Sequence, residues 1–183
     1  MALDGTYAGL KASVADWLNR ADLAAAAPDF VTLAEGQMNR RLRVRRMVAL
    51  ASAPISAPYE SLPADFAGAL AMTLTDGRQL DFLTPDALAQ KAFLHGAPVG
   101  EPTHYSVVGA QFQFYPSPDQ TYTALLTYYR QIPPLATNGA NWLLSLAPDA
   151  YLYGALTQAA PYLKDADRES HGTRLTPQPT LIV

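Results

Sequence analysis

Residues 148–167 read PDAYLYGALTQAAPYLKDAD, and the arrangement of the remaining chain follows from this stretch. Pro148 suits the first turn of a helix, where its missing N–H is not needed. Leu152, Ala155, Leu156, Ala159 and Leu163 recur at the three- and four-residue spacing of a buried helical face. Tyr151 and Tyr153 bring large, semi-polar rings to its entry. Pro161 removes one helical hydrogen bond and crowds the preceding turn, so a kink or restart is expected there, ahead of Asp165 and Asp167. Small apolar residues beside tyrosines make a packing element with no obvious chemistry.

Such a helix needs partners, and the N-terminal sequence supplies two. Thr6 is a plausible N-cap for a helix whose face carries Tyr7, Leu10, Val14, Trp17 and Leu18, ending near Arg20. Pro28 and Asp29 open a second helix, with Phe30, Leu33, Ala34, Met38 and Leu42 expected inward and Glu35, Asn39 and Arg43 outward. The pair reads as an αα-hairpin over residues 1–46 whose apolar stripe requires a third helix.

The period changes at Met47. Alternation over MVALASAPIS and YESLPADF suggests extended chain, but Pro54, Pro58 and Pro63 demote these pieces to edge strands or an irregular arm. Leu70, Met72 and Leu74 alternate before Asp76-Gly77, and Leu80-Asp81-Phe82 returns, which reads as a hairpin with a two-residue turn. Thr84-Pro85-Asp86 then caps a short helix over residues 85–95, with Leu88, Ala92 and Phe93 on its apolar side and Gly96 at its end. His104–Val108, Gln111–Tyr115 and Thr121–Arg130 follow as strands, with Phe112 and Phe114 on a buried face and Gln111 and Gln113 on a wetter one. A polar loop over Pro133–Asn141 leads through Trp142-Leu143-Leu144 to the opening stretch.

The expected fold is therefore α+β. A helical core (hairpin 1–46 and closing helix 148–167) carries an inserted antiparallel β region over 47–147 with one short helix. Residues 168–183, RESHGTRLTPQPTLIV, lack helical pattern. Pro177 and Pro179 make this tail extended, and Leu181, Ile182 and Val183 give it an apolar tip suited to docking on a neighbour by strand addition. A frayed terminus is the competing reading.

Composition narrows the function. The chain is 183 residues long, 49% hydrophobic and 16% charged, which allows a proper core. Without cysteine, disulfides, thiolate catalysis and cysteine-held metals are excluded. No apolar run approaches the ~20 residues of a membrane span, and the start does not read as a signal peptide. His95, His104 and His171 lack metal-ligand spacing, so neither metal nor cofactor is expected. No glycine-rich phosphate loop appears, since GAPVG at 96–100 lacks the lysine and helix that would follow. His104 and Ser106 are the closest approach to a hydrolytic pair, and they lack a nucleophile elbow. No catalytic residue is assigned and no enzyme is expected.

Charge is more informative in its distribution than in its net value of −3. Arg40, Arg41, Arg43, Arg45 and Arg46 cluster at the end of the second helix, while the stretch after Met47 is acidic. Local ion pairing at a solvated helix end is the plain explanation. Phosphate contact is a second, disfavoured because no aromatic residues interleave with the arginines. Contact between copies, arginine against the acidic middle, is the preferred reading.

Taken in order, TYAGLKASVADWLNRADL, PDFVTLAEGQMNRRLRVRRM, SLPADF, YTALLTYYRQIPPL and NWLLSLAPDAYLYGALTQAAPYLKD resemble the phage adaptor proteins, the head-completion or head-to-tail connector proteins of tailed bacteriophages. The resemblance runs from about Thr6 to Asp167. It implies a non-enzymatic, cofactor-free structural protein that forms a homo-oligomeric ring, commonly a dodecamer, at the neck of the virion after synthesis in the host cytoplasm. Implied partners are copies of itself, the portal protein above and a stopper or other tail-completion protein below, with genomic DNA passing without sequence-specific contact and no membrane involved. Relatives continue past the PYLKD segment with a long helix of alternating charge and alanine, where this chain reads ESHGTRLTPQPTLIV. Another connector component, or a small nucleic-acid-binding module using the arginine cluster, are the alternatives.

Overall fold

A computed structural model describes residues 4–19 and 23–162. Leu163, Asp165, Asp167, His171 and the tail residues Pro177, Pro179, Leu181, Ile182 and Val183 lie outside these described residues, as does Arg20. The described chain is α+β: six α-helices and a curled, mostly antiparallel seven-stranded sheet. It divides into two compact units, one of residues 1–42 with 132–183 and one of residues 43–131.

The helical unit contains α1 (Tyr7–Trp17), α2 (Ala27–Arg41), α4 (Leu135–Asn138), α5 (Trp142–Leu146) and α6 (Pro148–Tyr162). Thr6 caps α1 as expected, its hydroxyl accepting from the Gly9 N–H at 3.0 Å. Leu10 and Val14 are buried, but Trp17 is exposed; Leu18, one position on, takes the more inward place at the helix end. Trp17 instead meets the Tyr153 ring edge-on at 5.9 Å on the surface. The α6 face is buried through Tyr151, Leu152, Ala155 and Ala159, and its described part ends at Tyr162, one residue past Pro161. Gly154 is where α2 comes closest: a Cβ there would lie 3.0 Å from Met38 Cε and 3.2 Å from Ala34 Cβ.

The largest departure from the sequence reading is in α2. Its buried stripe is Ala27, Phe30, Val31, Ala34 and Glu35, so Leu33 is 55% exposed and Glu35 only 7%. The spacing is an ordinary three-four repeat, but it includes a carboxylate that residue chemistry alone assigns to solvent. Glu35 Oε1 accepts the Leu135 N–H at 2.9 Å and the Tyr151 hydroxyl at 3.3 Å. Asn141 completes the group. Its amide donates to Tyr151 Oη at 2.7 Å and to the Pro133 carbonyl at 2.8 Å, while its Oδ1 caps α5 through the N–H groups of Leu143 and Leu144. Asn39 Oδ1, also expected outward, accepts the Ile132 N–H at 2.7 Å. These bonds turn the expected polar loop 133–141 into structured chain, with α4 in its middle and Leu135 fully buried.

The second unit holds the sheet: β1 (Val48–Ile55), β2 (Tyr59–Ser61), β3 (Phe66–Leu74), β4 (Gln79–Phe82), β5 (His104–Val108), β6 (Gln111–Tyr115) and β7 (Tyr122–Arg130). Their order is β1-β7-β3-β4-β5-β6-β2. The proline-bearing β1 and the short β2, flanked by Pro58 and Pro63, are its two edges, as the missing donors require. The single parallel pair, β4 with β5, is the pair joined by helix α3 (Pro85–His95), the crossover such pairing needs. Thr84 and Pro85 start α3 as read. Phe93 does not join its apolar side and is 89% exposed, leaving Leu88 as the buried anchor.

The β3–β4 connection is one residue longer than a two-residue turn. Leu74 N–H bonds Arg78 O at 2.7 Å and Gly77 N–H bonds Leu74 O at 2.9 Å, with Gly77 at φ +93°. That is a three-residue loop, in which glycine takes the left-handed position. Phe112 and Phe114 are buried with Met72, Leu80, Tyr105, Leu126 and Tyr128, and Gln111 and Gln113 face outward.

Two outcomes follow for the helical unit. Gly154→Val should lower stability by about 1–3 kcal/mol through overpacking against α2, read as a fall in Tm, with Gly154→Ala milder. Burial holds the Glu35 carboxyl above its usual value of 4.5, against the hydrogen bonds from Leu135 and Tyr151 that lower it. A raised carboxyl contributes stability that is fully present below 4.5 and lost as pH rises through the folded value. Glu35→Gln keeps an acceptor without charge, so it should remove that decline and match or exceed the parent at pH 7 in urea titrations. Glu35→Ala leaves the buried Leu135 N–H unpaired and should cost about 1–3 kcal/mol at every pH.

Candidate functional site

The five arginines singled out in the sequence fall on different supports. Arg40 and Arg41 close α2, where the helix dipole favours cations. Arg43, Arg45 and Arg46 belong to the sheet unit, the last two in a 3-10 turn directly before β1. All five are exposed. Arg43 lies over the Tyr129 ring, its guanidinium carbon 5.7 Å from the centroid, a cation–π placement that fixes it against β7.

Register then adds a residue that sequence reasoning missed. Val48 pairs with Tyr129, and Phe66 with Arg130, so the start of β1, the end of β7 and the start of β3 share one end of the sheet. Arg43, Arg45, Arg46 and Arg130 gather there beside Asp65, which accepts from the Tyr128 hydroxyl at 2.9 Å. Arg130 is remote in sequence, and only antiparallel pairing of β1 with β7 reveals its membership.

The opposite end is acidic. Leu74 pairs with Ala124 and Ile55 with Tyr122, which brings the β3–β4 loop and the β6–β7 connection together. Asp76 and Glu101 share Arg78, the Asp76 contact being 2.9 Å. Asp119 accepts from the Tyr122 hydroxyl at 2.6 Å. Hydrogen bonds from the Arg78 N–H and guanidinium hold Asp76 below its ordinary value, so it stays ionised. Nine residues of β3 separate the two ends by about 30 Å. The sheet unit is thus polar along its strands, positive at one end and negative at the other.

His104 and Ser106 do not form a nucleophile–base pair. The Lys91 ammonium meets His104 Nε2 at 2.9 Å, and Thr103 Oγ1 meets Nδ1 at 2.7 Å. Lysine can only donate, so Nε2 accepts and Nδ1 carries the proton. Burial and the Lys91 charge both lower the His104 pKa, keeping the ring neutral. The Ser106 hydroxyl is fully buried and has no hydrogen-bond partner among the described residues. In the sheet it sits opposite Gln113 of β6. Among the described residues no three histidines or acids come close enough to hold a metal, and no helix is long and apolar enough to cross a membrane.

Among the described residues, what the sheet unit presents is two oppositely charged ends and two edge strands each paired on one side only. No curated protein matches the chain, but the family model described as SU10 adaptor protein matches residues 5–176. That match covers most of the 183 residues, including both compact units. The chain belongs to the SU10 adaptor protein family, a family of phage structural adaptors.

Proposed function

We propose that this adaptor acts by assembly: identical copies close into a ring at the head–tail junction of the virion, beneath the portal protein, completing the head and offering a platform to the next tail component. The observation that carries this reading is the charge polarity of the sheet unit, with Arg43, Arg45, Arg46 and Arg130 at one end and Asp76, Glu101 and Asp119 at the other. A patch that meets a different, complementary patch on the next copy is a heterologous interface, and such interfaces generate rings when the rotation closes. Charge complementarity also sets register and suppresses wrong pairings. Exposed Arg40 and Arg41 are available to a second partner, and the portal is the partner proposed. Genomic DNA passes through the ring without sequence-specific contact. The chain performs no chemical step and uses no cofactor.

The test is light-scattering mass of the purified protein, alone and with the portal protein of the same genome. Replacing Arg43, Arg45 and Arg46 with glutamate should abolish the ring, alone or on the portal, while circular dichroism stays unchanged. Adding Asp76→Arg and Asp119→Arg to that triple variant should restore assembly, because both ends are then reversed together. Assembly of the parent should weaken as salt rises from 0.05 to 0.5 M (about a Debye length of 14 Å falling to 4 Å), since exposed pairs are screened. A folded triple variant that assembles normally would remove the reading.

A further inference from the structure

The curled sheet leaves its two edges facing one apolar cleft. Ala51, Ala53, Pro54 and Ile55 of β1 and Glu60 and Ser61 of β2 line the same cavity of about 200 Å³. Its floor is Leu62, Met72, Phe112 and Phe114. β1 pairs only with β7 and β2 only with β6, so each has a free side among the described residues. The edges do not zip onto one another. Glu60 Oε1 accepts from the N–H groups of Ser56 and Ala57 at 3.0 and 3.2 Å, which pins the corner between them and holds them diverging. Toward the cleft β1 presents the small residues Ala49, Ala51 and Ala53; Leu50, on its other face, is 79% exposed. A sheet with two unpaired edges above an apolar floor is short of one strand.

The sequence holds a segment with matching properties. In Thr176–Val183, TPQPTLIV, the alternation of an extended strand puts Pro177, Pro179, Leu181 and Val183 on one face and Gln178, Thr180 and Ile182 on the other. N–H groups alternate between the two sides of a strand with the same period. The two prolines therefore remove donors from one side only and leave Gln178, Thr180 and Ile182 to donate on the other. Such a strand can add to an edge and cannot be extended further, which is how natural edges are blunted. Its apolar face fits the cleft: cavities of about 150 Å³ already hold a benzene ring, so 200 Å³ receives the Leu181 and Val183 side chains.

We propose that Thr176–Val183 of one copy docks as an added strand in the β1–β2 cleft of the neighbouring copy, pairing along Ala49–Ala53 and filling the apolar cavity. The proposal rests on the ring reading and names one of its subunit contacts. Each copy gives a strand and receives one, so the contact repeats from copy to copy. Strand addition takes its affinity from main-chain bonds and its selectivity from the alternate side chains in the pocket.

The absence of cysteine permits a direct test on the full chain. One preparation carries Ser52→Cys, on the face of β1 away from the cleft that Ile182 would share, a second Ile182→Cys, and a third, as control, Gln90→Cys on the exposed side of α3. Mixing the first two under mild oxidation should give a cross-linked dimer in about tenfold or greater excess over the Gln90→Cys and Ile182→Cys mixture, because docking raises the local thiol concentration. Adding Leu181→Asp to the Ile182→Cys chain should abolish the excess. Equal yields in both mixtures overturn the proposal. So does a chain carrying both Ser52→Cys and Ile182→Cys that cross-links only within itself as a monomer. Light-scattering mass of the parent separates this result from the ring reading. A ring without the selective cross-link removes the strand contact alone, whereas a selective cross-link between copies that never exceed a dimer removes the ring and keeps the contact.

Discussion

Glu35 is the constraint on which the helical unit depends. A carboxylate taken from water must recover hydrogen bonds inside, and here it draws them from the Leu135 backbone and the Tyr151 hydroxyl. Asn141 then satisfies Tyr151, the Pro133 carbonyl and the first turn of α5 at once. One buried acid thereby orients α2, the chain leaving the sheet unit, and the entry to α6. Apolar burial supplies the larger part of the cohesion but is tolerant of direction. The polar group selects one arrangement because every member has a defined partner, and loss of any one leaves another buried and unpaired.

The sheet unit follows a different logic. Its interior is an aromatic and aliphatic cluster, with Phe66 edge-on to Phe112 and stacked on Tyr128 at centroid distances of 5.6 and 5.9 Å. Nothing in that interior requires chemistry from its surface. The outside is where the information lies: arginines collected at one end by the β1–β7 and β3–β7 registers, carboxylates at the other, and two proline-marked edges that each pair on one side only among the described residues. An adaptor has to meet several chains with different faces, and rigid strands about 30 Å long keep those faces apart. In the assembly proposed above, charge gives each end its selectivity, while the apolar edge gives contact that salt does not screen.

Much of this was legible in the sequence where the signal is local. Thr6 and Thr84-Pro85 start helices because capping involves only the next three residues. Pro54, Pro58 and Pro63 marked the edges because a missing donor excludes a central position whatever the neighbours are. The strands from His104 to Arg130 and their buried phenylalanines emerged from alternation alone. The failures share one cause. Leu33 against Glu35, Trp17 on α1, and Phe93 on α3 each turn on the placement of a helix against remote chain, and residue hydrophobicity decided them wrongly. Ser106 and His104, already set aside in the sequence for want of a nucleophile elbow, have both ring nitrogens occupied and the hydroxyl buried in the fold.

By itself, then, the sequence determined the kinds and order of elements, the α+β class, the absence of thiol chemistry and the presence of a basic cluster, and its ordered motifs pointed to the adaptor family. Those properties depend on neighbours a few residues apart, which the chain carries with it in any conformation. Only the tertiary structure decided that a glutamate lies in the core, that Arg130 joins three arginines far from it in sequence, that acids gather at the opposite end, and that two edges share one cleft. Each of these is a meeting of segments separated by tens of residues, set by strand register and by the hydrogen-bond demand of buried polar groups, and neither is written in any local stretch.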